Sequence, residues 1–302
     1  MFIYVDFIRL LDYIKILNLV KYKKYENLEN EKHVISTDKD GLIEPSMVHK
    51  NPDLQIFFVG GSTTECETVS PELRFPYYSG RLLEKKLGHK VNSDNAAKSG
   101  NTSVHSINIV INKLLALKPD MIVMMHNIND LSTLFYEGTY WNYNKSRSNL
   151  SCTHRNRKAM KGDEWANSGF AQKSLNSKDV RREIVKKFED SLRLFISTAK
   201  SQDIIPVLMT QPNIIENNKN FSMQRDPAYD EIYRDLYAKF NDRIRRVALK
   251  NNVLMVDLAK KVPQEREYIY DDVHVNNKGS VLESEIIAES ISAYLKKIKY
   301  FN

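Results

Sequence analysis

Three residues, Ser62 and the distant pair Asp271 and His274, are of the types that acyl transfer requires. A serine hydroxyl is a poor nucleophile at neutral pH, so it needs a base beside it. Histidine suits this task because its pKa lies near neutrality, and a carboxylate can hold the imidazole in the required tautomer. Asp271 and His274 are three residues apart, so one loop can present both. These residue types predict nucleophilic catalysis if the fold brings Ser62 to that loop.

The residues before Ser62 indicate how the serine is held. An apolar run from Gln55 to Val59 is followed by Gly60 and Gly61. The run predicts a buried strand, and the glycines predict a tight turn at its carboxyl end. Ligands of open α/β sheets bind at this edge. Gly-Gly-Ser-Thr also occurs in ordinary turns, in which Ser62 would only cap a helix.

Acyl transfer also needs donors that stabilise negative charge on the substrate oxygen. The candidates for this oxyanion hole are the backbone N–H of Ser62, the backbone N–H of Gly100 and the side-chain amide of Asn129. They follow the first, second and third predicted strands in turn. A glycine at position 100 would let the backbone approach a substrate closely.

Strand and helix patterns alternate from residue 53 to the end of the chain. The predicted strands are 55–59, 90–93, 121–125, 204–209 and 254–258, and the main helices are 76–87, 104–117, 179–201, 227–251 and 279–298. This alternation predicts parallel pairing through right-handed crossovers. The expected fold class is therefore α/β, a three-layer α/β/α sandwich with a parallel sheet of about five strands.

Two regions interrupt this alternation. Residues 1–52 are predicted to form an N-terminal amphipathic helix and a polar extension, followed by the main domain at 53–302. An insertion at about 131–178 lacks strong periodicity and contains both tryptophans, Trp141 and Trp165, with a basic cluster. Long insertions of this kind often have a binding role, although these aromatic residues could equally pack the insertion itself.

Composition limits the other functions. The chain has 302 residues and a formal net charge of +7, which is too mild and too dispersed to indicate a nucleic-acid partner. The two cysteines, Cys66 and Cys152, are far apart, so neither a disulfide framework nor a zinc site is predicted, and Cys66 is expected to be a packing residue. No secretory signal is evident, which favours a cytoplasmic location.

The first residues of the chain allow two interpretations. Four charges, at Asp6, Arg9, Asp12 and Lys15, would lie along one side of a helix and argue against a membrane-spanning segment. The helix could pack on the domain or on a second copy of the chain. It could instead lie on a membrane surface, assisted by the lysines that follow. Residues 1–24 are thus a candidate for peripheral membrane contact or self-association.

Taken together, these residues resemble the SGNH branch of the GDSL-type esterases and lipases. Four blocks match in order: Gly60-Gly61-Ser62, Asn95 with Gly100, Asn127-Ile128-Asn129-Asp130, and Asp271-Asp272-Val273-His274 followed by Asn276 and Gly279. Two positions depart from the pattern. Gly61 stands where the family has an acidic residue, and Asn127 stands where it has glycine. The resemblance covers residues 53–295.

The resemblance implies a flavodoxin-like hydrolase domain with neither a metal nor an organic cofactor. It implies that Ser62 is the nucleophile, that His274 is the base and that Asp271 orients His274. Asp272 stands beside Asp271, but the spacing favours Asp271. Ser62, Gly100 and Asn129 would form the oxyanion hole.

Four further residues are predicted to contact the substrate: Gly61, His126, Trp141 and Gln211. For His126, which ends a strand beside the predicted site, packing is the alternative.

The predicted function is a serine-dependent ester hydrolase that acts on the O-acetyl groups of a carbohydrate through an acyl-enzyme on Ser62. The expected partner is an ester or an acetylated glycan substrate. Two alternatives stay open. A glycan O-acetyltransferase could use the same triad, and a catalytically silent glycan-binding module would be compatible with the departures at Gly61 and Asn127.

Overall fold

The computed structural model describes residues 33–141, 173–216 and 227–301. The predictions for residues 1–24 lie outside this part of the chain, and so do Trp165 and the basic cluster of the insertion. Among the helices of the described part, none is both long and apolar enough to cross a membrane.

The centre of the molecule is a parallel sheet of five strands. Their bounds are β1 Leu54–Gly60, β2 Val91–Asn95, β3 Met121–Met125, β4 Ile205–Met209 and β5 Leu254–Val256. Their order across the sheet is β2-β1-β3-β4-β5, and every neighbouring pair is parallel. This is the flavodoxin-like order, in which the connection reverses direction between β1 and β3.

Helices cover both faces of this sheet. Their bounds are α1 Ser62–Glu65, α2 Phe75–Leu87, α3 Ser103–Asn112, α4 Ile128–Glu137, α5 Lys178–Lys200, α6 Asp230–Lys250, α7 Leu258–Lys261 and α8 Asn277–Lys297. Side chains of β1 alternate between two apolar clusters: Ile56 and Phe58 pack with α2 and α8, and Phe57 and Val59 pack with α3, α5 and α6. The predicted three-layer α/β/α sandwich is therefore confirmed.

The second strand, β2, has a weak sequence signal because its side chains are mostly polar. β2 is an edge strand that is buried along its whole length, yet most of its side chains are polar. Residues 43–49 lie along it and bond two of these side chains: Oδ1 of Asn92 accepts from His49 N at 2.8 Å, and an Asp94 carboxylate oxygen accepts from Met47 N at 2.7 Å. Ile43 forms a single antiparallel bridge to Asn95. Hydrogen bonding to a distant segment thus replaces the apolar pattern expected of a buried strand.

One element extends into the predicted insertion. α4 runs from Ile128 to Glu137, so the first residues after position 131 are helical rather than irregular. Leu131, Leu134 and Phe135 are buried in the cluster beneath α5 and α6. Their spacing of three and four residues is that of an amphipathic helix.

Candidate active site

The register of the sheet brings three turns to one edge. Gly60 of β1 pairs with Met125 of β3, and Met125 pairs with Met209 of β4. Ser62, Asn127 and Gln211 each stand two residues beyond this row. Because the strands are parallel, the three residues leave the sheet at the same carboxyl edge.

The first of these turns exposes only one of its hydroxyl groups. Ser62 is half-buried, whereas Thr63 and Thr64 are 6% and 0% exposed. A Cβ atom built on Gly60 would lie 2.2 Å from Oγ1 of Thr64, so the close turn requires glycine there. Cys66, which ends α1, is 4% exposed, and burial raises the pKa of its thiol. This confirms that Cys66 is a packing residue.

A single carboxylate builds the turn that carries the histidine. Oδ1 of Asp271 accepts hydrogen bonds from the backbone N–H groups of Val273 at 2.8 Å and His274 at 2.7 Å. Oδ2 of the same carboxylate lies 2.7 Å from Nδ1 of His274. On the other side of the ring, Nε2 of His274 lies 2.8 Å from Oγ of Ser62. The structure thus brings Ser62, His274 and Asp271 into one continuous hydrogen-bonded array.

The electrostatics of the array keep Asp271 ionised. Burial alone would raise the pKa of this carboxyl, but the His274 ring and the backbone donors of residues 273 and 274 outweigh burial and lower the pKa to about 2. The neighbouring Asp272 has other partners. Its carboxylate lies 3.9 Å from Nη2 of Arg266, and its carbonyl accepts from the backbone of Ile214.

Tyr270 also supports the histidine, and it did not figure in the sequence prediction. Its ring stacks on that of His274, with 5.7 Å between centroids. The only signal in the sequence is its position directly before Asp271. That signal does not distinguish a supporting aromatic ring from any other loop tyrosine.

Asn129 joins the turns that carry the predicted oxyanion donors. Its Nδ2 donates to the carbonyl oxygen of Asn101 at 2.9 Å. A Cβ atom built on Gly61 would lie 2.3 Å from that nitrogen, so the amide also sits against the residue before Ser62. Gly100 precedes Asn101, is exposed and adopts a left-handed φ of +83°. A primary amide has a second N–H, which can donate to another acceptor at this junction.

The four predicted substrate contacts have different positions in the structure. His126 is 3% exposed: its Nε2 lies 2.7 Å from Oγ of Ser106, and its Nδ1 lies 3.4 Å from the Asp130 carboxylate. Burial lowers the pKa of His126 to about 3, so the ring is neutral. The prediction of substrate contact was wrong for His126, which is a packed core residue instead.

Gln211 requires a similar correction. It is 1% exposed, and its side chain hydrogen-bonds Thr63 and the backbone of Ile128. It lies behind the turns and not on the surface that a substrate reaches. Trp141 is 55% exposed and accessible, and its predicted contact stays a prediction. Gly61 is buried against the Asn129 amide, where the absence of a side chain makes room for that group.

No metal site was predicted from the sequence. Within residues 33–141, 173–216 and 227–301, the structure has no group of three or more His, Cys, Asp and Glu side chains that could hold a metal ion.

A parallel α/β/α sandwich with a Ser–His–Asp array at the carboxyl edge of its sheet defines a class of protein, the serine hydrolases. The model of the GDSL-like lipase/acylhydrolase family matches residues 58–282, which include every member of the array. The chain therefore belongs to the GDSL-like lipase/acylhydrolase family and is a serine ester hydrolase. A search of curated proteins found no match.

Solved structures share the fold at low sequence identity. A putative GDSL-like lipase from Parabacteroides merdae aligns with a TM-score of 0.53 and 17% identity, covering 80% of this chain and 97% of that one. A mutant of an acetyl-xylooligosaccharide esterase from Geobacillus stearothermophilus aligns with a TM-score of 0.50 and 19% identity, covering 79% and 94%. At these identities the similarity concerns the fold alone.

Proposed function

We propose that the chain hydrolyses O-acetyl esters of a carbohydrate through an acyl-enzyme on Ser62. The observation that carries this proposal is the continuous array from Ser62 Oγ through His274 to Asp271, with distances of 2.8 Å and 2.7 Å. Both lie within the range in which a base can take a proton from a hydroxyl and an acid can orient that base.

In the first step, Oγ of Ser62 attacks the ester carbonyl carbon while Nε2 of His274 takes the hydroxyl proton. Asp271 accepts the hydrogen bond from Nδ1 and stabilises the imidazolium that forms. The tetrahedral intermediate then collapses, and His274 returns the proton to the departing sugar oxygen. Water, activated by the same histidine, releases acetate and restores the free serine.

Negative charge on the carbonyl oxygen would be stabilised at the junction of the three turns. The proposed donors are the backbone N–H groups of Ser62 and Gly100 and the second N–H of the Asn129 amide. Loss of one such donor lowers kcat by about 10²- to 10³-fold in a well-studied hydrolase. The position of Asn129, against Gly61 and bonded to Asn101, supports its assignment as a donor.

The carbohydrate part of the proposal rests on an exposed aromatic residue at the start of the insertion. The Tyr140 hydroxyl donates to Oδ1 of Asp130 at 2.6 Å, which ties the start of the insertion to the residue after Asn129. Trp141 follows and is 55% exposed. A large, rigid ring with an apolar face suits stacking on a sugar. The acetyl-xylooligosaccharide esterase with the same fold suggests a substrate class to test.

Hydrolysis of p-nitrophenyl acetate by the wild type and by Ser62→Ala tests the catalytic assignment. We expect the variant to lose activity by at least about 10⁴-fold. A fluorophosphonate should add one adduct to the intact mass of the wild type and none to the variant, which also separates an enzyme from a silent binding module. Equal turnover by Ser62→Ala would disprove the role of this serine.

Acetylated xylooligosaccharides, with an unacetylated oligosaccharide as acceptor, test the substrate class. We expect free acetate to be released. Hydrolysis of the nitrophenyl ester without deacetylation of any oligosaccharide would refute the sugar assignment and leave the esterase. Acetyl groups that appear on the acceptor sugar, in place of acetate, would show a transferase.

A further inference from the structure

Gln211 connects the two turns on which the proposed oxyanion hole depends. Its Oε1 accepts a hydrogen bond from the backbone N–H of Ile128 at 2.9 Å, and its Nε2 donates to Oγ1 of Thr63 at 3.1 Å. Ile128 directly precedes Asn129, and Thr63 directly follows Ser62. One buried side chain therefore joins the neighbours of the amide donor and of the nucleophile.

The hydrogen-bonding partners fix the orientation of this amide. A backbone N–H can only donate, so the oxygen of Gln211 must face Ile128, and the nitrogen must then face the hydroxyl of Thr63. The backbone of Gln211 is itself held by Asn241 of α6. Oδ1 of Asn241 accepts from its N–H at 3.1 Å, and Nδ2 of Asn241 donates to its carbonyl oxygen at 3.2 Å. Hydrogen bonds thus hold both the side chain and the backbone of Gln211.

Local sequence does not provide this connection. α4 begins at Ile128, and the residue before it, Asn127, makes no side-chain capping bond; its amide instead donates to the carbonyl oxygen of Tyr237. The first N–H groups of a helix need partners from outside the helix. Gly61, which has no side chain, cannot reach across from the serine turn, and a Cβ there would lie 2.3 Å from the Asn129 amide.

We infer that Gln211 is a positioning residue that sets the distance between the Ser62 turn and the Asn129 amide. This inference rests on the proposed roles of Ser62 and Asn129. It assigns to the turn after β4 a contribution to catalysis that none of the four sequence blocks contains. Gln211 does not touch the substrate. It acts on catalysis through Thr63 and Ile128.

Gln211→Met removes both hydrogen bonds and keeps an unbranched side chain of similar length. Displacement of a catalytic group by about 1 Å can cost about 100-fold in rate, so we expect kcat on p-nitrophenyl acetate to fall about 10- to 100-fold. KM should change less than about threefold, because the hydrogen bonds from the oxyanion hole strengthen in the transition state. A purely structural residue would lower the amount of folded enzyme, and the kcat per folded molecule would stay the same.

Gln55→Met is the matched control. Gln55 lies on β1, is 4% exposed and also makes two side-chain hydrogen bonds, donating to Asp94 at 2.7 Å and accepting from Asn92 at 3.1 Å. These contacts lie away from the carboxyl edge. We expect this variant to lose stability, measured by denaturant unfolding, with kcat within about twofold of the wild type.

A kcat for folded Gln211→Met within about threefold of the wild type would overturn the inference, and so would an equal loss in Gln55→Met. If Gln211→Met does not fold, Thr63→Val replaces it. That variant removes the acceptor for Nε2 of Gln211 and keeps a branched side chain of the same shape, and we expect at least about a fivefold loss of kcat. A folded Thr63→Val with an unchanged kcat would equally overturn it. If Ser62→Ala were active, the proposed function itself would fail.

Discussion

The Asp271 carboxylate holds the turn through Oδ1 and orients the His274 ring through Oδ2. Replacement of Asp271 by asparagine should keep the first of these roles and remove the second. The amide oxygen must take the place of Oδ1, because two backbone N–H groups point there, from Val273 at 2.8 Å and His274 at 2.7 Å. The amide nitrogen then occupies the position of Oδ2 and faces Nδ1 of His274. Since that nitrogen can only donate, Nδ1 must become the acceptor and the ring proton moves to Nε2.

The wrong tautomer should almost abolish catalysis. Nε2 would donate to Oγ of Ser62 and could no longer take its proton. The same change in a serine protease triad lowers kcat by about 10⁴-fold, which at about 1.4 kcal/mol per factor of ten is a barrier increase of about 5 kcal/mol. We expect a loss of this size for Asp271→Asn, with the turn preserved. Asp271→Ala should lose the turn as well and unfold more easily.

The ionised carboxylate should also make stability depend on pH. The pKa of Asp271 is lowered from 3.8 to about 2, so its contribution to stability is fully present above the ordinary pKa and is lost as pH falls from about 4 to about 2. The shift corresponds to about 2 kcal/mol. The difference in unfolding free energy between the wild type and Asp271→Asn should therefore shrink by about that amount between pH 5 and pH 2.

Two measurements check this reasoning. Steady-state hydrolysis of p-nitrophenyl acetate gives kcat, and denaturant unfolding at several pH values gives the free energy of unfolding. Asp272→Asn is the control, because Nδ1 of His274 lies 2.7 Å from the Asp271 carboxylate, whereas the Asp272 carboxylate lies 3.9 Å from Nη2 of Arg266. A kcat for Asp271→Asn within tenfold of the wild type would refute the tautomer argument. An equal loss of kcat in Asp272→Asn would show that Asp271 is not the specific partner of His274.

Three further predictions concern Gly61, Gly100 and Glu283. Gly61→Ala puts a Cβ atom at 2.3 Å from Nδ2 of Asn129, so kcat should fall by about tenfold or more. In Gly100→Ala the new Cβ atom meets no atom within 4 Å, but the side chain strains a φ of +83°. We therefore expect Gly100→Ala to lower the unfolding temperature and to change kcat less than Gly61→Ala does. A larger loss of kcat in Gly100→Ala than in Gly61→Ala would contradict both expectations. Glu283 is 1% exposed, its Oε2 has no hydrogen-bond partner among the described residues, and burial raises its pKa. Because the folded state holds the proton, wild-type stability should decline as pH rises above the ordinary value of 4.5. Glu283→Gln should remove that decline, and parallel unfolding curves for both proteins from pH 5 to pH 8 would argue against a buried neutral carboxyl.

Elements with a local signal could be predicted closely from the sequence. β3 has the predicted bounds, Met121–Met125. A strand that is covered on both faces is a continuous apolar run, and such a run can be identified from its own residues alone. α2 ends where Gly88 adopts a φ of +70°, as a helix-terminating glycine is expected to do. β2 extends to Asn95, beyond its predicted end, because its polar side chains are satisfied by residues from another part of the chain.

The candidate site also has a part with a local sequence signal and a part that depends on distant contacts. The turn of Asp271 and His274 is local, so its spacing could be read directly. The residues behind the site could not be assigned, because position along the chain does not show which way a side chain points. His126 and Gln211 both follow strands at the carboxyl edge, yet both are buried, at 3% and 1% exposure. Each is held by partners on other elements, such as Ser106 for His126 and Thr63 for Gln211.

The sequence by itself determined the strand and helix order, the parallel sheet and the residue types of a serine hydrolase, because these follow from short-range periodicity and from motifs of a few residues. Only the tertiary structure decided that Ser62 Oγ lies 2.8 Å from a ring that stands 212 residues further along the chain. It also decided that Gln211 joins the two catalytic turns. Such contacts depend on strand register and on packing between layers, which pair residues without regard to their distance in the sequence.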